Sequence, residues 1–189
     1  AAESTWAFWL AAPAGGVADA MWWPGWGGGG GRFLAFDCGQ PEHPAFASDL
    51  DLFQDALAWG TSRAFTVGNL LYLSHDEGRF IPADTSGGPK DGPNPPDGHW
   101  ETLHFLDVVD YTDGRNPTVR KPVNLPGQLA GLAVRGELLF TEGPQYDAAG
   151  NTDWTQYLDA LAYDGVKAAL VQSMRLSTNW PRAELGYQG

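Results

Sequence analysis

Residues 103–127 read LHFLDVVDYTDGRNPTVRKPVNLPG. An apolar run leads into Asp110, a polar segment follows, Pro117 closes it, and Val119, Val123 and Leu125 resume an apolar pattern. This is the signature of two strands joined by a turn. The Asp carboxylate accepts backbone amides of the turn, and Pro presets φ at its exit. The pattern recurs in residues 33–52, FLAFDCGQPEHPAFASDLDL. Asp37 stands for Asp110, Pro44 for Pro117 and Leu52 for Leu125, at the same spacings, with Phe46 and Leu50 in place of Val119 and Val123. Residues 162–176, AYDGVKAALVQSMRL, repeat it around Asp164 with a turn three residues shorter.

The repetition extends upstream. VGNLLY at 67–72 parallels RGELLF at 135–140, each a hairpin turn leading into a strand, and AFWL at 7–10 is the corresponding strand of the first unit. Trp100 and Trp154 both lie ten residues before their matched Asp, and Trp26 misses that position by one. Four strand signals in each long repeat read as propeller blades. With strands lettered A to D from the axis outward, unit one supplies B, C and D near 5–12, 32–38 and 45–53. Unit two supplies A to D near 55–60, 63–74, 101–110 and 118–125, and unit three near 128–134, 137–142, 155–164 and 168–176. The expected fold is all-β: four-stranded antiparallel β-propeller blades over 1–54, 55–126 and 127–178, with 179–189 opening another. About three blades leave a ring incomplete. The chain opens on Ala1 without a basic leader, so a piece of a longer parent, or a processed product, is expected.

Composition narrows the function. The chain of 189 residues carries 11 Lys and Arg against 23 Asp and Glu, a net charge of −12. That excludes a nucleic-acid partner, which would need a basic face. A hydrophobic share of 43% with nine tryptophans argues for a packed core. Twenty-five glycines and 14 prolines make turns frequent. Cys38 is the one cysteine, so neither an intrachain disulfide nor a cysteine zinc cluster can form. No apolar run is long enough for a membrane span. Two segments, Asp49–Trp59 and Asp159–Met174, have some helical character but fit the strand pattern better.

Residues 103–127, followed by LAGLAVRGELLFTE at 129–142, resemble the bacterial LVIVP-type β-propeller repeat, with its strand pair around VVD, NP and LPG and a second pair around a Gly turn. The resemblance implies the propeller fold and a secreted bacterial protein: extracellular, periplasmic or at the cell surface. It implies no activity, and the loops here are longer and more varied than in the family.

The long segments, 13–31, 77–98 and 143–153, all join a B to a C strand, so up-and-down order puts them on one face. Trp22, Trp23 and Trp26 in the first can form an apolar platform for a sugar ring or a protein, or can cover a sheet edge. Asp147, Asn151 and Asp153 in the third, like Asp84, Asp91 and Asp97 in the second, offer oxygen ligands of the kind calcium takes, without a calcium-loop spacing. The plainer reading is a solvated acidic loop with no cofactor. His75-Asp76-Glu77 is read as the end of a B strand and His99 as the start of a C strand on the same face, where they could bind a ligand or metal or act as a base. His43 and Cys38 read as turn residues, and no hydrolase or phosphate-loop motif occurs. The favoured function is a non-catalytic scaffold that binds protein or carbohydrate through these loops. The remaining blades would come from a longer parent or a partner chain. The alternative is an enzyme, a hydrolase or metal-dependent lyase, with its site at the funnel and partly outside this chain.

Overall fold

The computed structural model describes residues 6–11, 31–52, 58–82, 98–145 and 155–177. They form three antiparallel sheets and no α-helix. The first sheet is β1 (Trp6–Ala11), β2 (Gly31–Asp37) and β3 (Ala45–Leu52), in that order. The second runs β4 (Ala58–Val67), β5 (Leu70–Pro82), β6 (Gly98–Asp110), β7 (Thr118–Val119), with β8 (Val123–Leu125) also on β6. The third runs β9 (Gln128–Ala133), β10 (Leu138–Pro144), β11 (Gln156–Tyr163), β12 (Ala168–Ser177). Neither helix-like segment is helical where described: 49–52 and 58–59 are strand, and 159–174 is two strands joined by the 164–167 turn.

The matched aspartates do the same work in each sheet. Asp37 Oδ1 accepts from the Gly39 amide at 2.9 Å and Asp110 Oδ1 from the Thr112 amide at 3.0 Å. Asp164 Oδ1 accepts from both the Val166 and Lys167 amides at 2.9 Å. Each carboxylate thus satisfies turn amides that the strand ladder leaves open. The outer strand that follows carries a bulge every time. Register slips at Ala47 in β3, at 120–122 between β7 and β8, and at Val171 in β12, after two, two and three paired residues. In the second sheet the slip includes Pro122, which has no amide to donate and splits the strand in two.

One boundary differs from the sequence expectation. A strand at 55–60 followed by one at 63–74 is replaced by β4 over Ala58–Val67 and β5 over Leu70–Pro82. The hairpin turns at Gly68-Asn69, and Gly68 has φ +58, a conformation glycine adopts at no steric cost.

The middle sheet is covered on both faces. Leu71, Leu73, Val109 and Tyr111 pack with Phe33, Ala35 and Leu52 of the first sheet. Tyr72, Leu106, Val108 and Leu125 pack with Leu129, Leu139, Leu161 and Tyr163 around the third. Side chains of a strand alternate between faces, so Leu71 to His75 are buried without a gap. Burying Leu71 or Leu73 stabilises the fold by about 1.5–3 kcal/mol each.

Contacts between sheets align their ends. Ser48 Oγ of β3 donates to the Gly114 carbonyl in the 111–117 turn at 2.6 Å. Tyr72 and Tyr163 meet edge to face at 6.4 Å, near the turn ends of the second and third sheets. Farther along, the Leu129 amide donates to Ser74 Oγ at 3.3 Å. The short turns 38–44, 111–117 and 164–167 therefore lie at one end of the stack. The connections 12–30, 83–97 and 145–155 leave from the other.

Candidate functional site

Strands β5 and β6 pair without a slip from Leu70 opposite Asp110 to Pro82 opposite Gly98. The polar run His75-Asp76-Glu77, which resembles a strand end, is therefore mid-strand. Alternation divides it. His75 and Glu77 lie on the face toward the first sheet, with Leu71 and Leu73. Asp76 lies on the face toward the third, with Tyr72 and Ser74.

On the first face His75 is 3% exposed and clamped by two carboxylates. Its Nδ1 meets Asp107 Oδ2, and its Nε2 lies 3.2 Å from Glu77 Oε1. Asp107 comes from β6, which pairs it with Leu73, one alternation away from His75 opposite Phe105. The Phe105 ring stacks on the imidazole at 5.2 Å between centroids. Burial by itself would lower the His75 pKa. The hydrogen bond and charge of Asp107, followed by those of Glu77, outweigh it and hold the pKa above the ordinary histidine value. In its protonated form the ring donates from both nitrogens to these carboxylates.

On the opposite face a second pair forms from the same two strands. His104 Nδ1 lies 2.5 Å from Asp76 Oδ1, and Gln128 Nε2 of β9 donates to Asp76 Oδ2 at 2.6 Å. Asp76 thereby ties the second sheet to β9, an edge strand of the third. His104 is itself buried.

These pairs redistribute the residues singled out in the sequence. His75 and Asp76 are adjacent in the chain but serve opposite faces. His99 sits opposite Ile81 in β6, six residues along the ladder from His75, roughly 20 Å away at strand rise. The pairing of His75 with His99 gives way to His75 with Asp107 and His104 with Asp76. The signal for Asp107 and His104 was present in LHFLD at 103–107, where two polar residues interrupt an apolar strand three residues apart. It is readable only once the register to β5 is known. Trp22, Trp23, Trp26, Asp147, Asn151 and Asp153 lie outside the described residues.

Both ring nitrogens of His75 face carboxylates, and in its protonated form the ring offers neither a lone pair for a metal nor a base to take a proton. Among the described residues no group of three or more His, Cys, Asp or Glu is arranged to hold a metal ion. Among them, too, no helix is long and apolar enough to cross a membrane. What the two pairs do chemically is cross-link: β5 to β6 on one face, and β5 and β6 to β9 on the other.

The chain matches no protein-family model and no curated protein. Its reading therefore rests on its own geometry.

Proposed function

We propose that this protein is a non-catalytic β-propeller scaffold that binds a protein or carbohydrate ligand through the connections at one end of its sheets. The observation that carries the reading is the common polarity of the stack. Three sheets of like strand order pack face to face, and the connections 12–30, 83–97 and 145–155 all leave from one end, while short Asp turns occupy the other. Repeated sheets with their variable segments gathered at one end offer a broad surface of loops on a rigid base. Trp22, Trp23 and Trp26 belong to the first of these segments and supply flat apolar area of the sort that sugars and protein side chains stack upon. Propellers close with about four to eight blades, so the reading includes further sheets supplied by the same or another chain. A location outside the cytoplasm accords with the resemblance of residues 103–142 and belongs to the same proposal.

The test is a glycan array and a displayed-peptide library screened with the wild-type chain and with a W22A/W23A/W26A variant. The reading expects a retained glycan or peptide class that the variant loses while its melting temperature stays unchanged. A ligand held equally by both proteins would move the binding surface elsewhere. Turnover of a retained glycan would replace the scaffold with the enzyme reading.

A further inference from the structure

At the turn end, away from the long connections, the second and third sheets part around a cleft of about 610 Å³. Three of its lining residues are cations: Arg120, Arg135 and Lys167. Among the described residues none of the three lies within salt-bridge distance of a carboxylate. This is unusual company in a chain with 11 cations against 23 acids. Two carboxylates line the cleft as well, Glu137 and Asp164, but Asp164 Oδ1 is turned into its own loop by the Val166 and Lys167 amides.

The polar groups deeper in the cleft are tyrosines. Tyr163 donates its hydroxyl to the Gly165 carbonyl at 3.0 Å. Tyr72 is 3% exposed, lines the same cleft, and has no hydrogen-bond partner among the described residues. Burial holds its pKa above the ordinary tyrosine value, against the opposing charge of Arg120 and with the help of Tyr163, so the phenol remains a donor. The ring is buried but its hydroxyl oxygen is not sealed off, so it faces the cleft open to a ligand or a water.

The backbone shapes the site. Arg120 sits in the bulge that splits β7 from β8, where its amide donates to the Val108 carbonyl at 2.9 Å. Val108 belongs to the face packed on the third sheet, and the bulge sends Arg120 toward the cleft on that side. Across from it Val134 and Arg135 adopt left-handed φ of 50 and 56. Gly136 follows at φ +87, and a Cβ there would stand 2.4 Å from the Tyr72 hydroxyl. Left-handed valine and arginine are costly conformations, and they occur here at the rim of the cleft.

We propose that this cleft binds a small organic oxyanion, a phosphate ester or carboxylate on a sugar-sized body, with Arg120 and the Tyr72 hydroxyl as its donors and Arg135 and Lys167 supplying field at the rim. Guanidinium groups match the paired oxygens of both anions. The volume falls within the range of small-molecule sites and exceeds what a bare ion fills. Ala162 and Ala169, small and on the lining, leave room for the body of the ligand.

Isothermal titration of the full chain at low salt tests this with glucose 6-phosphate, glucuronate, inorganic phosphate and neutral glucose. At least one organic anion should bind, glucose should not, and affinity should fall as salt rises. A stronger response to glucose 6-phosphate assigns a phosphate ester, and the reverse assigns a carboxylate. Arg120→Gln should weaken binding roughly tenfold or more, and Tyr72→Phe about three- to tenfold, as loss of a charged and a neutral hydrogen bond predicts. Tyr72→Phe preserves the ring packing, so it reports on the site even if Arg120→Gln fails to fold. Absence of binding by every probe, or binding unchanged by Tyr72→Phe and by any folded Arg120 variant, overturns the proposal.

Discussion

Replacing Asp107 by Asn keeps the shape of the side chain and removes its charge. The consequence follows from what surrounds it. Asp107 and His75 each expose 4% of their side chains, so water cannot take over the lost interaction. Breaking a buried ion pair by removing one partner costs about 3–5 kcal/mol when the other charge is stranded. Here the stranding is incomplete. Glu77 stays 3.2 Å from Nε2, and the imidazole can shed its proton once Asp107 no longer holds the pKa up. The loss is then closer to that of one charge-assisted hydrogen bond, about 2–3 kcal/mol, or roughly 5–10 °C in Tm for a chain of this size. The pH dependence carries the sharper test. The folded pKa of His75 is raised above the unfolded value of about 6.5. Its contribution is therefore complete below pH ~6.5 and is lost as pH rises through the folded value. Urea melts of the wild type and Asp107→Asn between pH 5.5 and 9 should show the gap between the two proteins narrowing as pH rises. A gap that widens with pH, or a variant within about 0.5 kcal/mol of wild type at pH 6, would refute the clamp.

Asp110→Ala should destabilise the chain by about 0.5–2 kcal/mol, read by urea melts, because the Thr112 amide loses its acceptor. The same change at Asp91, in the 83–97 segment, should cost nearly nothing. Gly68→Ala and Gly136→Ala both force alanine into positive φ, but a Cβ at Gly68 meets nothing within 4 Å whereas one at Gly136 meets the Tyr72 ring. The first should cost about 1 kcal/mol and the second roughly 2–4 kcal/mol, and equal shifts in Tm would contradict the packing. Asp113 and Asp164 should titrate below the ordinary aspartate value in carboxyl NMR. For Asp113 the Asn116 side-chain bond leads and the Arg115 amide follows; for Asp164 the leading causes are the Lys167 and Val166 amides. What they add to stability is present above the unfolded pKa and lost as pH falls through the folded one.

The aspartate turns and the strands they join were legible in the sequence because their causes are local. Asp37, Asp110 and Asp164 find their amide partners two or three residues on. An apolar alternation of a few residues is enough to mark each strand. Repetition of this short pattern then disclosed three similar sheets, although β4 gives way to β5 at the hairpin turn within VGNLLY and not between a strand at 55–60 and one at 63–74.

Partnership across strands and sheets was decided only in the tertiary structure. His75 and Asp107 are 32 residues apart, His104 and Asp76 are 28, and Gln128 reaches Asp76 from 52 away. Nothing local announces these pairs. In the sequence His75-Asp76-Glu77 is a single polar run, and it divides between two faces only because sheets pack on both sides of β5. The cleft has the same origin: Arg120, Arg135 and Lys167 lie in three different turns or bulges, and the stacking of two sheets brings their charges to one opening. Turn chemistry acts over a few bonds and can be read along the chain. Burial, ion pairing and cavity shape depend on which surfaces meet, and that is fixed only when the sheets stack.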